Sequence, residues 1–252
     1  MLKAKTRYLV NAPSALRCAI TFAVLATMLA FSGCASVPRV EPDKTALKSA
    51  RTIALLRLQE PRAVEVANLG GAAGAFGVIG GIAQGINNSN RTEEFVTALR
   101  QRKISLAEPL TAKLVESLQK AGYQVNISDQ QPKPSADKKS DDFSAISVQE
   151  DIILLVWIGH TGYISEPYST YYEPWILLSA RALDARTKRD LYWKTFCVGY
   201  KMKIDQATHI PAESRYKFKS QPEIMQRLDE AVAGLIESHN LAALAITADL
   251  KP

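Results

Sequence analysis

Cysteine and histidine are scarce, with three of each in 252 residues. Cys18 and Cys34 lie near the start and Cys197 stands alone far downstream, and no internal disulfide is expected. Within Phe196-Cys197-Val198 that thiol reads as a small buried hydrophobe. His160, His209 and His239 are far apart, with no pair at ligand spacing and no cysteine cluster beside them, so no metal site is expected. His239 falls on an apolar helical stripe and reads as a packed residue. No Gly-x-Ser-x-Gly elbow occurs and no Gly-Lys-Ser/Thr follows the glycines, so neither a hydrolase nucleophile nor a phosphate loop is indicated. The expectation is a protein that is not an enzyme, with no catalytic residue and no cofactor.

Acidic residues are missing from the first stretch, where Lys3, Lys5, Arg7 and Arg17 supply four of the basic residues behind the net charge of +6. Losing residues 1–33 lowers that excess to +2. A nearly neutral chain has no basic stripe for counterion release, so no nucleic acid is expected as a partner. Residues 18–31 carry no charge and are apolar, but the run is shorter than the roughly 20 residues of a membrane span. A basic start followed by a short apolar run is the pattern of a secretory leader.

After that run stand Phe31-Ser32-Gly33-Cys34, which resemble the lipobox of bacterial lipoproteins, with Phe31 in place of the usual leucine. The resemblance implies cleavage before Cys34 and a diacylglyceryl thioether on its sulfur, with acyl chains such as palmitate. Two or three acyl chains, at about 0.8 kcal/mol per buried methylene, hold a protein on a membrane stably. Ala35 and Ser36 follow the cysteine where aspartate favours inner-membrane retention, so the resemblance implies an outer-membrane protein on the periplasmic face. The expected partners are the membrane, through lipid on Cys34, and an envelope protein or a second copy of the chain.

Residues 34–49 hold two prolines and little periodicity, and read as a lipidated tether to a domain over 50–252. Thr52–Leu58 reads as a buried strand. Residues 108–121 read as a helix with Leu110, Leu114, Val115 and Leu118 on one face and Gly122 at the cap, followed by a strand over Tyr123–Ile127. Ser128–Ser147 is polar and proline-bearing and reads as a mobile loop. Ile152–Ile158 is continuously apolar, as in a central strand covered on both faces. Trp175–Leu183 and Leu191–Met202 read as strands joined by the polar turn Asp184–Asp190, and a long helix starts at Ser220. This order implies an α/β or α+β fold, a mixed sheet covered by helices in one periplasmic domain. With the lipidated start and the hairpin Leu-Asp-Ala-Arg-Thr-Lys-Arg-Asp-Leu-Tyr-Trp, it resembles the small periplasmic domains of the curli-secretion lipoprotein, TolB amino-terminal and peptidoglycan-synthase activator type.

Charge is also absent from Val66 to Asn90, a glycine-rich insertion over 66–90. On a helix Gly70, Gly74, Gly77, Gly81 and Gly85 would share one sector of about 80° and form a glycine zipper, while Leu69, Phe76, Ile79, Ile82 and Ile86 lie away from it. Such a helix has no polar face and needs protein or lipid around it. Seven interior glycines cost about 1 kcal/mol each, so the isolated segment is not helical in water. A partly buried insertion and a membrane-contacting or self-associating hairpin both stay open.

Tyr163–Trp175 gathers tyrosines and a tryptophan with Glu166 and Glu173. Tyr168, Tyr171, Tyr172 and Trp175 could stack on sugars or anchor a partner, or could pack on their own sheet. The functional expectation is an outer-membrane assembly, accessory or interaction factor. Its alternative is a membrane-associating oligomeric subunit of secretion or pore type that uses the glycine segment. An envelope glycan- or peptide-acting enzyme has less in its favour, since two carboxylates alone make no glycosidase.

Overall fold

The apolar run at Ile152 organises the fold because it extends far beyond the heptad of apolar residues. The computed structural model describes residues 37–61, 63–69, 89–135, 141–166, 169–201 and 204–252. All of these belong to one compact unit, Ser36–Pro252. The elements in order are α1 (Lys44–Ser49), β1 (Thr52–Leu56), β2 (Ala63–Asn68), α2 (Ser89–Gln101), α3 (Ala107–Lys120), β3 (Gln124–Ser128), β4 (Lys133–Pro134) and β5 (Asp141–Asp142). They continue with β6 (Ile152–Ser165), β7 (Tyr172–Asp184), β8 (Asp190–Gly199), β9 (Thr208–Ile210), α4 (Gln221–Gln226) and α5 (Leu228–Leu250). The fold is α+β with a mixed sheet, as expected.

Seven strands form one sheet in the order β3-β1-β6-β7-β8-β9, with β2 also beside β6. β1 and β2 both run parallel to β6 and share one of its edges, β1 along Ile152–Leu154 and β2 along His160–Ser165. β7 runs antiparallel along the other edge of β6, and β8 antiparallel to β7. Ile152, Leu154, Val156 and Ile158 face the helices while Ile153 and Leu155 face the opposite side. The register shifts between Ile158 and His160. That bulge switches the inward positions from even to odd numbers, so that Tyr163 still points at the helices and Ile164 away from them.

The helices cover one face. α5 lies across β7 and β8 and against α3. Its length and hydropathy would suit a membrane span, yet half of its most apolar window is buried within the fold. It lies so close to the sheet that a Cβ on Gly234 would fall 2.5 Å from Tyr163 Oη and 2.8 Å from Tyr216 Cγ. Tyr163 Oη donates to Ala231 O at 2.8 Å, and its ring meets Phe95 and Phe218 edge-on at 6.3 and 5.3 Å. The expected long carboxyl-terminal helix is broken at Arg227, which stands outside helical geometry (φ −108°, ψ 40°) and pairs with Glu223 and Glu230. Ser220 caps α4, its Oγ accepting from Glu223 N, while Glu223 accepts from Lys219 N, so the start expected at Ser220 stands. α3 ends as expected, with Gly122 at φ +102°.

Two parts of the chain expected to be mobile are docked. From Val37 onward the tether belongs to the domain: Val40 and Trp193 exchange backbone hydrogen bonds at 2.8 and 2.9 Å, and Asp43 N donates to Leu191 O at 2.9 Å. Asp43 then caps α1, accepting from Ala46 N at 3.0 Å, and Leu47 is fully buried. Lys44 Nζ donates to Asp249 O and Lys251 O, the open carbonyl end of α5. Lys194, nearly buried, bridges Glu41 and Asp249 at 3.2 and 3.1 Å. In the expected loop 128–147, Phe143 and Ile146 are buried against Leu56, Ile153, Leu155 and Leu183. These two apolar side chains cover sheet surface that no helix reaches, which outweighs the polar composition around them. The insertion expected over 66–90 likewise begins later and ends earlier, since β2 runs to Asn68 and α2 starts at Ser89.

His239 is fully buried in α5 among the core helices, and neither ring nitrogen has a hydrogen-bond partner among the described residues. Burial lowers its pKa from 6.5 to about 4. Below pH 6.5 the unfolded chain takes up a proton that the folded chain refuses, so stability falls from pH 6.5 down to about 4, by on the order of 3 kcal/mol. His239→Leu should flatten that limb of a urea-denaturation pH profile and raise stability even at pH 7. An unchanged limb would show that the imidazole is not the group responsible.

Candidate functional site

One end of the sheet gathers most of the residues singled out by the sequence. β2 and β6 finish there and β7 begins there, since Asn68 lies opposite Ser165 and Ser165 opposite Tyr172. β8 also finishes there, with Gly199 opposite Trp175. Ala67, Leu69, Ile164, Trp175, Cys197 and Ile204 form a separate apolar cluster on the side of the sheet away from the helices. Val37, Leu177, Tyr200 and Ala207 pack around it.

Among the aromatic candidates, Trp175 and Tyr172 are buried, at 1% and 5% exposure, and Tyr171 is exposed at 43%. Trp175 and Tyr172 therefore pack on their own sheet and are not available as a stacking surface. Tyr171 sits at the tip, in a turn where its N–H donates to Ser169 Oγ and its carbonyl accepts from the same hydroxyl. Tyr168 lies outside the described residues, as do Cys34, Gly70, Gly74, Gly77, Gly81 and Gly85. The residues that flank the glycine run are described and close together. Leu69 N donates to Ser165 O at 2.8 Å, Arg91 Nη1 donates to Tyr172 Oη at 3.1 Å, and Thr92 Oγ1 accepts from Val66 N at 3.0 Å.

The groups able to do chemistry are engaged within the fold. Cys197 is buried and its thiol donates to Tyr200 O at 3.0 Å. His209 lies opposite it on β9, with Nε2 2.7 Å from Gly199 O. His160, in β6, places Nδ1 3.2 Å from Glu65 Oε1 and its ring 5.4 Å from that of Trp175. Burial raises the Tyr200 phenol pKa, and the Glu166 carboxylate adds to the rise. No group of three or more His, Cys, Asp or Glu is placed to hold a metal ion among the described residues.

Two further features were not visible in the sequence. On the side away from the helices, Arg181 lies between Trp193 and Phe143, its Cζ 4.3 and 4.9 Å from the ring centres, and holds Asp190 through two hydrogen bonds of 2.6 and 3.1 Å. The alternation of β7 and β8 puts these side chains on one face, but their pairing depends on register. A groove of about 760 Å³ runs between α3 and the loop after β1, lined by Leu58, Glu60, Ala112, Val115 and Ile127 among others. Its helix terminus is already filled, because Glu60 accepts from Leu106 N and Ala107 N at 3.1 and 3.4 Å.

No protein-family model matches this chain, and no curated protein matches its sequence. Among solved structures, a Xanthomonas campestris protein of the DUF330 family is similar with a TM-score of 0.43 and 11% identity, covering 85% of this chain and 91% of that one. A lipoprotein of Neisseria meningitidis is similar with a TM-score of 0.30 and 11% identity, covering 58% of this chain and 81% of that one. Values this low carry no functional inference, so function is argued from the chain's own residues.

Burial separates the two aromatics at this end. Trp175→Ala should destabilise the fold by about 3–5 kcal/mol, and Tyr171→Ala by no more than about 0.5 kcal/mol. Urea midpoints measure both; equal losses would contradict the assignment of Trp175 to the core and Tyr171 to the surface.

Proposed function

We propose that the chain is an outer-membrane lipoprotein, held by acyl groups on Cys34, that works without catalysis as an envelope assembly, accessory or interaction factor. The observation that carries this reading is Phe31-Ser32-Gly33-Cys34 directly after a charge-free apolar run and a basic start. Supporting it, Val37 is already docked in the domain three residues after the cysteine, its N–H donating to Asp205 O, so cleavage before Cys34 leaves that docking in place. Ala35 and Ser36 after the cysteine favour the outer membrane, with the domain on the periplasmic face. Its partner is an envelope protein or a second copy.

A second reading, a membrane-associating oligomeric subunit, is favoured by the glycine run itself. Its described flanks are joined at one place in the fold, where Thr92 Oγ1 accepts from Val66 N. A run with no charge and glycines at helical spacing can then meet lipid or another copy without disturbing the sheet.

Labelled palmitate should enter the wild-type protein and be absent from Cys34→Ser, and the variant should move from the membrane pellet to the soluble periplasmic fraction. Label retained by the variant, or a mature amino terminus elsewhere, contradicts the anchor. For the second reading, Gly77→Leu with Gly81→Leu should abolish an oligomer seen on native gels, and an unchanged size counts against it.

A further inference from the structure

We infer that the end of the sheet carrying Val37, Leu69, Tyr171, Tyr200 and Lys201 rests against the phospholipid surface in which the anchor sits. The inference builds on the lipidation of Cys34 and adds the orientation of the domain and the residues that meet lipid. Three independent features converge on this end.

The first is the length of the leash. Val37 N donates to Asp205 O at 3.4 Å, Arg39 Nη1 donates to Gln206 O at 3.1 Å, and Val37 packs on the Leu69 and Trp175 cluster. Three residues of fully extended chain from Cys34 to Val37 span about 10 Å, so a lipid on that sulfur keeps this end near the headgroups. The tether expected over 34–49 would have allowed any orientation; docking from Val37 onward removes that freedom.

The second feature is the glycine run. Its last described residue before the run, Leu69, bonds Ser165, and Arg91 just after it bonds Tyr172, both at the same end of the sheet. Both described flanks of the charge-free run therefore lie at the end of the sheet that carries Val37. The third is the side chains. Tyr171 is exposed, Tyr200 half-buried and Lys201 exposed, a combination of amphipathic rings and a cation that suits an anionic headgroup layer. The turn at Asp184–Asp190 lies at the other end, a distance of about 40 Å along the 13 residues of β7.

The test uses the full lipidated protein, reconstituted in phosphatidylethanolamine and phosphatidylglycerol vesicles that contain a headgroup-nitroxide lipid. In a Cys197→Ala background, an environment-sensitive fluorophore is placed at Tyr171→Cys, Lys201→Cys or Thr187→Cys. Probes at 171 and 201 should lose most of their emission to the nitroxide, and the probe at 187 none. Hydrogen exchange of the wild-type protein, with and without vesicles, repeats the measurement without substitutions and should show protection at Ser169–Tyr172 and Tyr200–Ala207 but not at Ala185–Arg189. Acylated protein with unquenched probes at 171 and 201, or with equal quenching at 187, overturns the orientation alone. A probe at 171 that is shielded from water but not quenched overturns it in favour of a protein contact. A mass spectrum without acyl groups on Cys34 overturns the anchor and the orientation together.

Discussion

The constraint on which the fold depends is that β6 must be covered on both faces along its fourteen residues, with β7 paired along one edge and β1 and β2 along two parts of the other. Its apolar side chains each contribute about 1.5–3 kcal/mol when fully buried, which no single layer could supply on both sides. Helices α2, α3 and α5 serve one face. Phe143, Ile146 and the Trp175 cluster serve the other. Edge pairing is divided similarly, with β1 and β2 each satisfying part of one edge and β7 the whole of the other. Asp151 locks the start of this arrangement. Its carboxylate accepts from Arg51 N and Thr52 N at 2.7 and 2.9 Å, and the first of these bonds holds its pKa below the usual range. The parallel register of β1 on β6 is thereby fixed by one side chain.

Elements whose sequence carries a strong local pattern were legible. The apolar run of β6, the β7–β8 hairpin around its polar turn, α3 with its four-residue leucine spacing and glycine stop, and the helix start at Ser220 all stand where the sequence pattern puts them. Elements held by tertiary partners were not. α2 buries Phe95 and Leu99 among polar neighbours, too narrow a stripe to read. β2 runs into the glycine segment, and what makes it a strand is the unpaired edge of β6 beyond β1. α1 and the strand-like segment around Val40 exist because β8 offers a free edge there and α5 offers carbonyls to Lys44. The bulge between Ile158 and His160 reverses which positions of β6 point inward, and a parity change leaves no mark on composition.

The candidate site was legible in outline only. Aromatics and glycines were visible as unusual clusters, but their fate depended on which end of each strand met which. Trp175 and Tyr172 follow the alternation of β7 and are drawn into the two cores on opposite sides of the sheet, whereas Tyr171 lies one residue before the strand and escapes. Sequence alone separates Leu69, Tyr171 and Tyr200 by long stretches. Register brings them to one edge.

This convergence has an energetic logic. A charge-free run with seven glycines is costly as an isolated helix, by about 1 kcal/mol per glycine, and costly to leave exposed if extended, because its isoleucines and phenylalanine would face water. Both costs shrink if the run emerges where an apolar medium is already within reach. On the proposed anchoring, an acyl group on Cys34 lies at most about 10 Å of extended chain from Val37 and brings that medium to the sheet end that carries Leu69. The docked amino-terminal segment is what makes the coincidence hold. Glu41, Asp43 and Lys44 tie it to Lys194, Arg189 and the end of α5, so the domain cannot swing away on a long leash. On the proposed anchoring, the shortness of the link between Cys34 and Val37 sets which end of the sheet faces lipid, and the docking of Val37 turns a tether into an orientation.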